Sequence, residues 1–139
     1  MRFPRVSVIT VVVFVAAAPV FGAALHPEIE LVRFDDDLMR DLDKTIKYFE
    51  PDVTAGNLDG ATDDAATIQD GLKWLEDYFA NKGPSAQHAV DIARSSQLSL
   101  ASALKSLQAH NLEAAAVSAR EVSQSCRSCH EEYRPEKAR

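Results

Sequence analysis

The chain has 139 residues, 46% of them hydrophobic, with 15 basic against 21 acidic side chains and a net charge of −6. That length and apolar content suit one small domain around one core. The acidic balance argues against a nucleic-acid partner, because a phosphate binder needs a face of Lys and Arg.

Residues 1–24 read as a signal peptide. Arg2 and Arg5 form a short basic region, Val6 to Ala18 an apolar one ended by Pro19, and Gly22-Ala23-Ala24 offers small residues for cleavage after Ala24. The competing reading is an uncleaved membrane anchor, since Val6 to Leu25 is just long enough to span a bilayer. No cysteine stands at the end of the apolar run, which argues against a lipoprotein. Cleavage takes the basic count from 15 to 13 against 21 acidic residues, a charge of −8. The expected location is periplasmic.

Residues 25–139 read as a single domain of four helices, rich in Ala, Leu, Glu, Gln and Lys and with few glycines. The first is expected from Pro27 to Phe49. Pro27 suits a first turn, Glu28 and Glu30 suit the positive end of the helix dipole, and Glu50-Pro51 ends it. Leu31, Leu38, Leu42, Thr45 and Phe49 form its seam, flanked by Val32, Met39 and Ile46. Pro51 to Ala61, with Gly56, Asn57, Asp59 and Gly60, reads as a loop.

The second helix is expected from Thr62, an N-cap followed by Asp63 and Asp64, to Ala80. Ala65, Ile68, Leu72, Leu75 and Phe79 alternate three and four apart, and Trp74 and Tyr78 widen the stripe. Asn81-Lys82-Gly83-Pro84 is a tight break. The third helix runs from Ser85 to Ala109 with Ala86, Ala93, Leu100, Leu104 and Leu107 inward. The fourth runs from its N-cap Asn111 to Arg134, with Leu112, Ala115, Ala119, Val122, Cys126, Cys129 and Tyr133 inward. Four amphipathic helices with short connections predict an all-α, up-down-up-down four-helix bundle.

The only two cysteines stand in Cys126-Arg127-Ser128-Cys129-His130. Cys-x-x-Cys-His is the pattern that attaches a c-type haem. Two thiols at this spacing can each form a thioether to one haem vinyl group, and the next residue can offer an imidazole to the iron. On a helix Cys126, Cys129 and His130 share one face, which Tyr133 continues. A disulfide would close a strained ring, a redox dithiol lacks its βαβ setting, and a zinc site lacks a fourth ligand in sequence reach. The motif also falls in phase with the fourth helix's core seam, so two patterns agree.

Cys126 to Arg134 is similar to the Cys-x-x-Cys-His-x-x-aromatic-basic ending of class II c-type cytochromes, the cytochrome c′ family. Leu38-Met39-Arg40-Asp41-Leu42 is similar to a stretch of that family's first helix. One departure is the missing arginine four residues before the Leu-Met pair, where Phe34 and Asp35 lie. The resemblance implies a four-helix bundle with one covalent haem and His130 as an axial iron ligand. It makes Met39 the candidate second axial ligand, and a homodimer a candidate assembly.

Counting from the expected helix ends, Met39 lies about 16 Å along the first helix and His130 about 6 Å from the end of the fourth. Side chains lean toward their own N-terminus, which would close much of the 10 Å or so between them. Met39 could equally be a core filler that touches the haem without bonding it. Tyr133 and Arg134 are candidate haem contacts, Arg134 and Arg127 as partners for propionates. His26, His88 and His110 are expected at the surface.

Two functions follow. One is an electron carrier, with a methionine ligand raising the potential and an acidic surface steering it to redox partners with basic docking faces. The other is a five-coordinate haem protein binding NO or CO beneath Met39, Leu42 and Ile46. A haem-free helical interaction protein is a weaker third reading. No nucleophile triad, phosphate loop or acid pair occurs, so no enzyme is predicted.

Overall fold

A computed structural model describes residues 29, 31 and 33–134. The expected signal peptide and its cleavage site, together with His26, Pro27, Glu28, Glu30, Val32 and Pro135, lie outside the described residues. Among the described residues no helix is long and apolar enough to cross a membrane.

The protein is a four-helix bundle of α1 (Asp36–Ala55), α2 (Leu58–Ala80), α3 (Gln87–Gln108) and α4 (Leu112–Tyr133). Consecutive helices pack side by side through short turns and alternate in direction. α1 closes the ring against α4, and the backbones of the diagonal pair α2 and α4 stay apart, meeting where Phe79 packs on Tyr133 with ring centroids 5.2 Å apart.

α1 starts and ends later than expected. Arg33 has φ 58°, a left-handed conformation that no helix passes through, so α1 begins after it. The helix starts instead at Asp35, whose carboxylate accepts from the Leu38 N–H at 2.9 Å. Asp36 and Asp37 then occupy the first turn. At the other end α1 runs through Pro51. The proline sits on an exposed position, and the extra turn buries Val53 completely beside Phe49. Burial of that side chain offsets the usual cost of an interior proline, about 3 kcal/mol.

The expected loop from Pro51 to Ala61 shrinks to Gly56 and Asn57. Gly56 turns left-handed at φ 74°, and the Asn57 N–H bonds back to the Asp52 carbonyl at 2.9 Å, a Schellman closure. The Asn57 side chain then caps α2 through the Gly60 N–H at 3.2 Å. Thr62 is therefore not the cap. It lies inside α2, its hydroxyl donating to the Leu58 carbonyl at 2.7 Å.

The later elements hold close to expectation. Gly83-Pro84 breaks the chain into a short 3-10 turn at Pro84–Ala86 before α3. Asn111 caps α4 by accepting from the Ala114 N–H at 3.1 Å. Ala65, Ile68, Leu72, Leu75 and Phe79 are all buried, as are Ala115, Ala119, Val122 and Tyr133. Leu104, Cys126 and Cys129 are half-buried, and Leu112 departs furthest. It is exposed in the first turn of α4, where the bundle tapers toward the Gly56 turn.

Two features set how α1 lies on its neighbours. Gly71 presents bare backbone to Leu42, and a Cβ there would collide with the leucine's terminal carbons. Phe34, just before α1, packs edge-on against Trp74 (5.5 Å) and Tyr78 (5.1 Å), which stack on each other. This pins the chain leading into α1 across one end of the bundle. Leu31, expected on a helical seam, is outside any helix yet still packs on the core from that segment.

Candidate functional site

A cavity of about 740 Å³ opens at that end of the bundle. Its size falls within the range of about 300–1,000 Å³ that accommodates cofactors and other small molecules. Leu42, Ile68, Leu72, Phe79, Ile92 and Ala93 form its apolar wall. The last turns of α4 place Cys126, Cys129, His130 and Tyr133 on the same cavity, as their shared helical face requires. Met39 lines it from the first turn of α1, and Arg134 lies at its edge.

Both cysteines are free thiols. Burial raises Cys126 to about 11, with the nearby Asp43 carboxylate adding to the effect. Burial likewise raises Cys129 to about 11, helped by Cys126 and Glu132. Both stay protonated at neutral pH. His130 is held below the ordinary imidazole value, first by burial and then by Arg134, while Asp43 pulls the other way. That favours a neutral ring, the form that can donate a lone pair to a metal.

Tyr133 is buried, and its hydroxyl lies near Glu132 and the Ala89 backbone without closing a hydrogen bond to either. Burial raises this phenol to about 12. A polar atom orphaned at a cavity wall is a natural donor to something placed in the cavity.

The register of α1 on α4 can be read from one contact. Ser123 Oγ donates to Glu50 Oε2 at 3.2 Å. In antiparallel helices one turn forward on one strand matches one turn back on the other. Ile46 therefore faces Arg127, and these two do share a groove with Glu50 and Ser123. Asp43 then stands level with His130, and Met39 level with Arg134.

This corrects the expected height of Met39. Because α1 begins at Asp36, Met39 lies in its first turn, about one helical turn (~6 Å) nearer the bundle end than His130. Side chains lean toward their own N-terminus, so the lean separates the two residues rather than drawing them together. They remain on one cavity.

The other candidates separate clearly. His88 is exposed and pairs through Nδ1 with Glu132 Oε2 at 2.8 Å. His110 is exposed in the turn before α4 at φ 56°. Arg127 lies on the α1–α4 groove, away from the cavity lining.

Several cavity residues were not expected from the sequence. Arg33 and Arg40 join Arg134 at the rim. Ser96 is a buried polar residue on the wall, its hydroxyl donating to the Ile92 carbonyl at 2.9 Å. Asp43 lines the same space, four residues after Met39 and so on its face of α1. That spacing was the available signal for Asp43.

These residues fit a covalently attached haem. The walls are apolar, two thiols and an imidazole share one face of α4, and arginines at the rim suit carboxylates on the group's edge. Comparisons with protein-family models, with characterised proteins and with solved structures find no match to the chain.

Proposed function

We propose that this chain is an exported, single-haem c-type electron carrier. Cys126 and Cys129 would hold the haem through thioethers, and His130 would be its axial ligand. When bound, haem supplies one-electron exchange at iron, tuned by its ligands and by the dryness of its site. The observation that carries the reading is that Cys126, Cys129 and His130 line one apolar cavity of cofactor size.

The protein's own residues have definite tasks in this reading. Leu42, Ile68, Leu72 and Phe79 would keep water away from a haem held in the cavity. Arg134 at the rim offers charge to propionates, and Tyr133 fixes the end of the cavity. The net charge of −8 left after cleavage (13 basic against 21 acidic residues) would steer the protein toward basic docking faces on redox partners. Periplasmic location is part of the proposal, because the thioether motif and the apolar N-terminal run argue together for export.

A second reading is a five-coordinate protein that binds NO or CO. The offset between Met39 and His130 favours it, because a methionine one turn away would shield the iron rather than bond it. Leu42 and Ile46 would complete an apolar wall there.

The proposal is tested by acid–acetone extraction of protein made in cells that mature c-type cytochromes. Haem should stay with the polypeptide, and Cys126→Ala with Cys129→Ala together should release it. Extraction of haem from the unaltered protein would refute covalent attachment.

A further inference from the structure

The seam between α1 and α4 brings a carboxylate to the imidazole of the attachment motif. Glu50 and Ser123 meet at 3.2 Å, and two turns along the same seam the helix register sets the exposed Asp43 level with His130, where the two act on each other electrostatically without a hydrogen bond between them. Both line the one cavity. Asp43 also acts electrostatically on Cys126, one turn from His130 on the same face of α4. On its other side Asp43 Oδ2 accepts from Lys47 Nζ at 2.7 Å. The charged groups that act here are Lys47 on Asp43's own helix and Arg134 at the end of α4.

From this geometry we infer that Asp43 is the positioning residue for His130. Its carboxylate, delivered from the neighbouring helix, orients the ring and supports the positive charge that builds on a metal-bound imidazole. The inference rests on the haem reading and adds a tuning group to it. A ligating imidazole characteristically gives its second ring nitrogen to a carboxylate, carbonyl or water, and an anion in that place makes the ring a stronger donor. A stronger donor and a nearby negative charge both favour oxidised iron, so Asp43 lowers the reduction potential. Lys47 restrains the effect by drawing charge away.

The test is redox titration of the haem-loaded protein at low ionic strength. Asp43→Asn keeps the shape and should move the potential upward, and Asp43→Glu should restore most of the original value. Lys47→Gln should move it downward. Asp41→Asn removes the same charge from a comparably exposed position on α1 that does not line the cavity and should change the potential far less. An unchanged potential in Asp43→Asn with haem intact overturns the inference, as does a shift no larger than that of Asp41→Asn. In both cases covalent haem would still stand. Protein that carries no covalent haem overturns the functional reading, and the role of Asp43 with it.

Discussion

Ser123 on α4 donates a hydrogen bond to Glu50 on α1 at 3.2 Å, and this contact marks the register of the two helices along the seam where the bundle closes. α1 reaches the rest of the protein mainly through α2 and this seam. Ser123→Ala should therefore cost about 1 kcal/mol, the net worth of one partly buried hydrogen bond to a charged or neutral acceptor. Urea unfolding should show a lower midpoint with an unchanged slope.

Gly71 lets α1 approach α2 closely, since any Cβ would collide with Leu42. Gly71→Ala should destabilise the fold by about 1–3 kcal/mol through overpacking, despite the better helix propensity of alanine. Because Leu42 also walls the cavity, the same change should loosen retention of whatever the cavity holds. The pair Gly71→Ala with Leu42→Ala should be less destabilised than the two single changes predict, a coupling that a double-mutant cycle would measure.

The half-buried thiols give the haem-free chain a specific alkaline weakness. Burial raises Cys126 and Cys129 from an ordinary 9.0 to about 11. Folding thus favours the protonated thiols, and their contribution is fully present below about pH 9. It is lost as pH rises through about 11, because the folded state must then bury thiolates. Alkylation by iodoacetamide should be slow at pH 8 in the folded haem-free chain and reach the rate of a free thiol on unfolding. Ordinary rates in the folded chain at pH 8 would show the thiols to be exposed.

Met39 faces the cavity from one turn beyond His130. If Met39 binds iron, Met39→Ala should convert a six-coordinate optical spectrum to a five-coordinate one and open CO binding. If Met39 only shields the site, the starting protein should already bind CO when reduced, and Met39→Ala should raise the on-rate with the resting spectrum unchanged. A reduced spectrum taken before and after CO separates these cases.

Much of the fold is legible in the chain because α2, α3 and α4 carry regular apolar spacing between strong local signals. Asn111 caps α4 and Gly83-Pro84 precedes α3 as the residue types suggest. α1 departs from its sequence pattern at both ends for identifiable reasons. Pro27 and Glu28 resemble a helix start, and nothing local announces that Arg33 turns left-handed. Pro51 resembles a stop, yet burial of Val53 carries the helix past it. Asn57, the true cap of α2, is hidden in a run of residues that individually suit a loop.

The attachment motif and its face were legible because thiol and imidazole spacing is a property of one helix. The relation of Asp43 and Met39 to His130 was not, since it depends on the register between two helices far apart in sequence. Because α1 begins at Asp36 rather than Pro27, Met39 lies nearer the bundle end than its place in the sequence suggests, and its lean carries it away from His130. Ser96 and the rim arginines were invisible for the same reason. Their place on the cavity comes from packing across elements rather than from local pattern.

The most direct test is the intact mass of the protein purified from cells competent to mature c-type cytochromes. The mass should equal that of the processed polypeptide plus one haem and should survive denaturation, while the Cys126→Ala, Cys129→Ala double variant should show polypeptide alone. A bare polypeptide mass for the unaltered protein under those conditions would contradict the account.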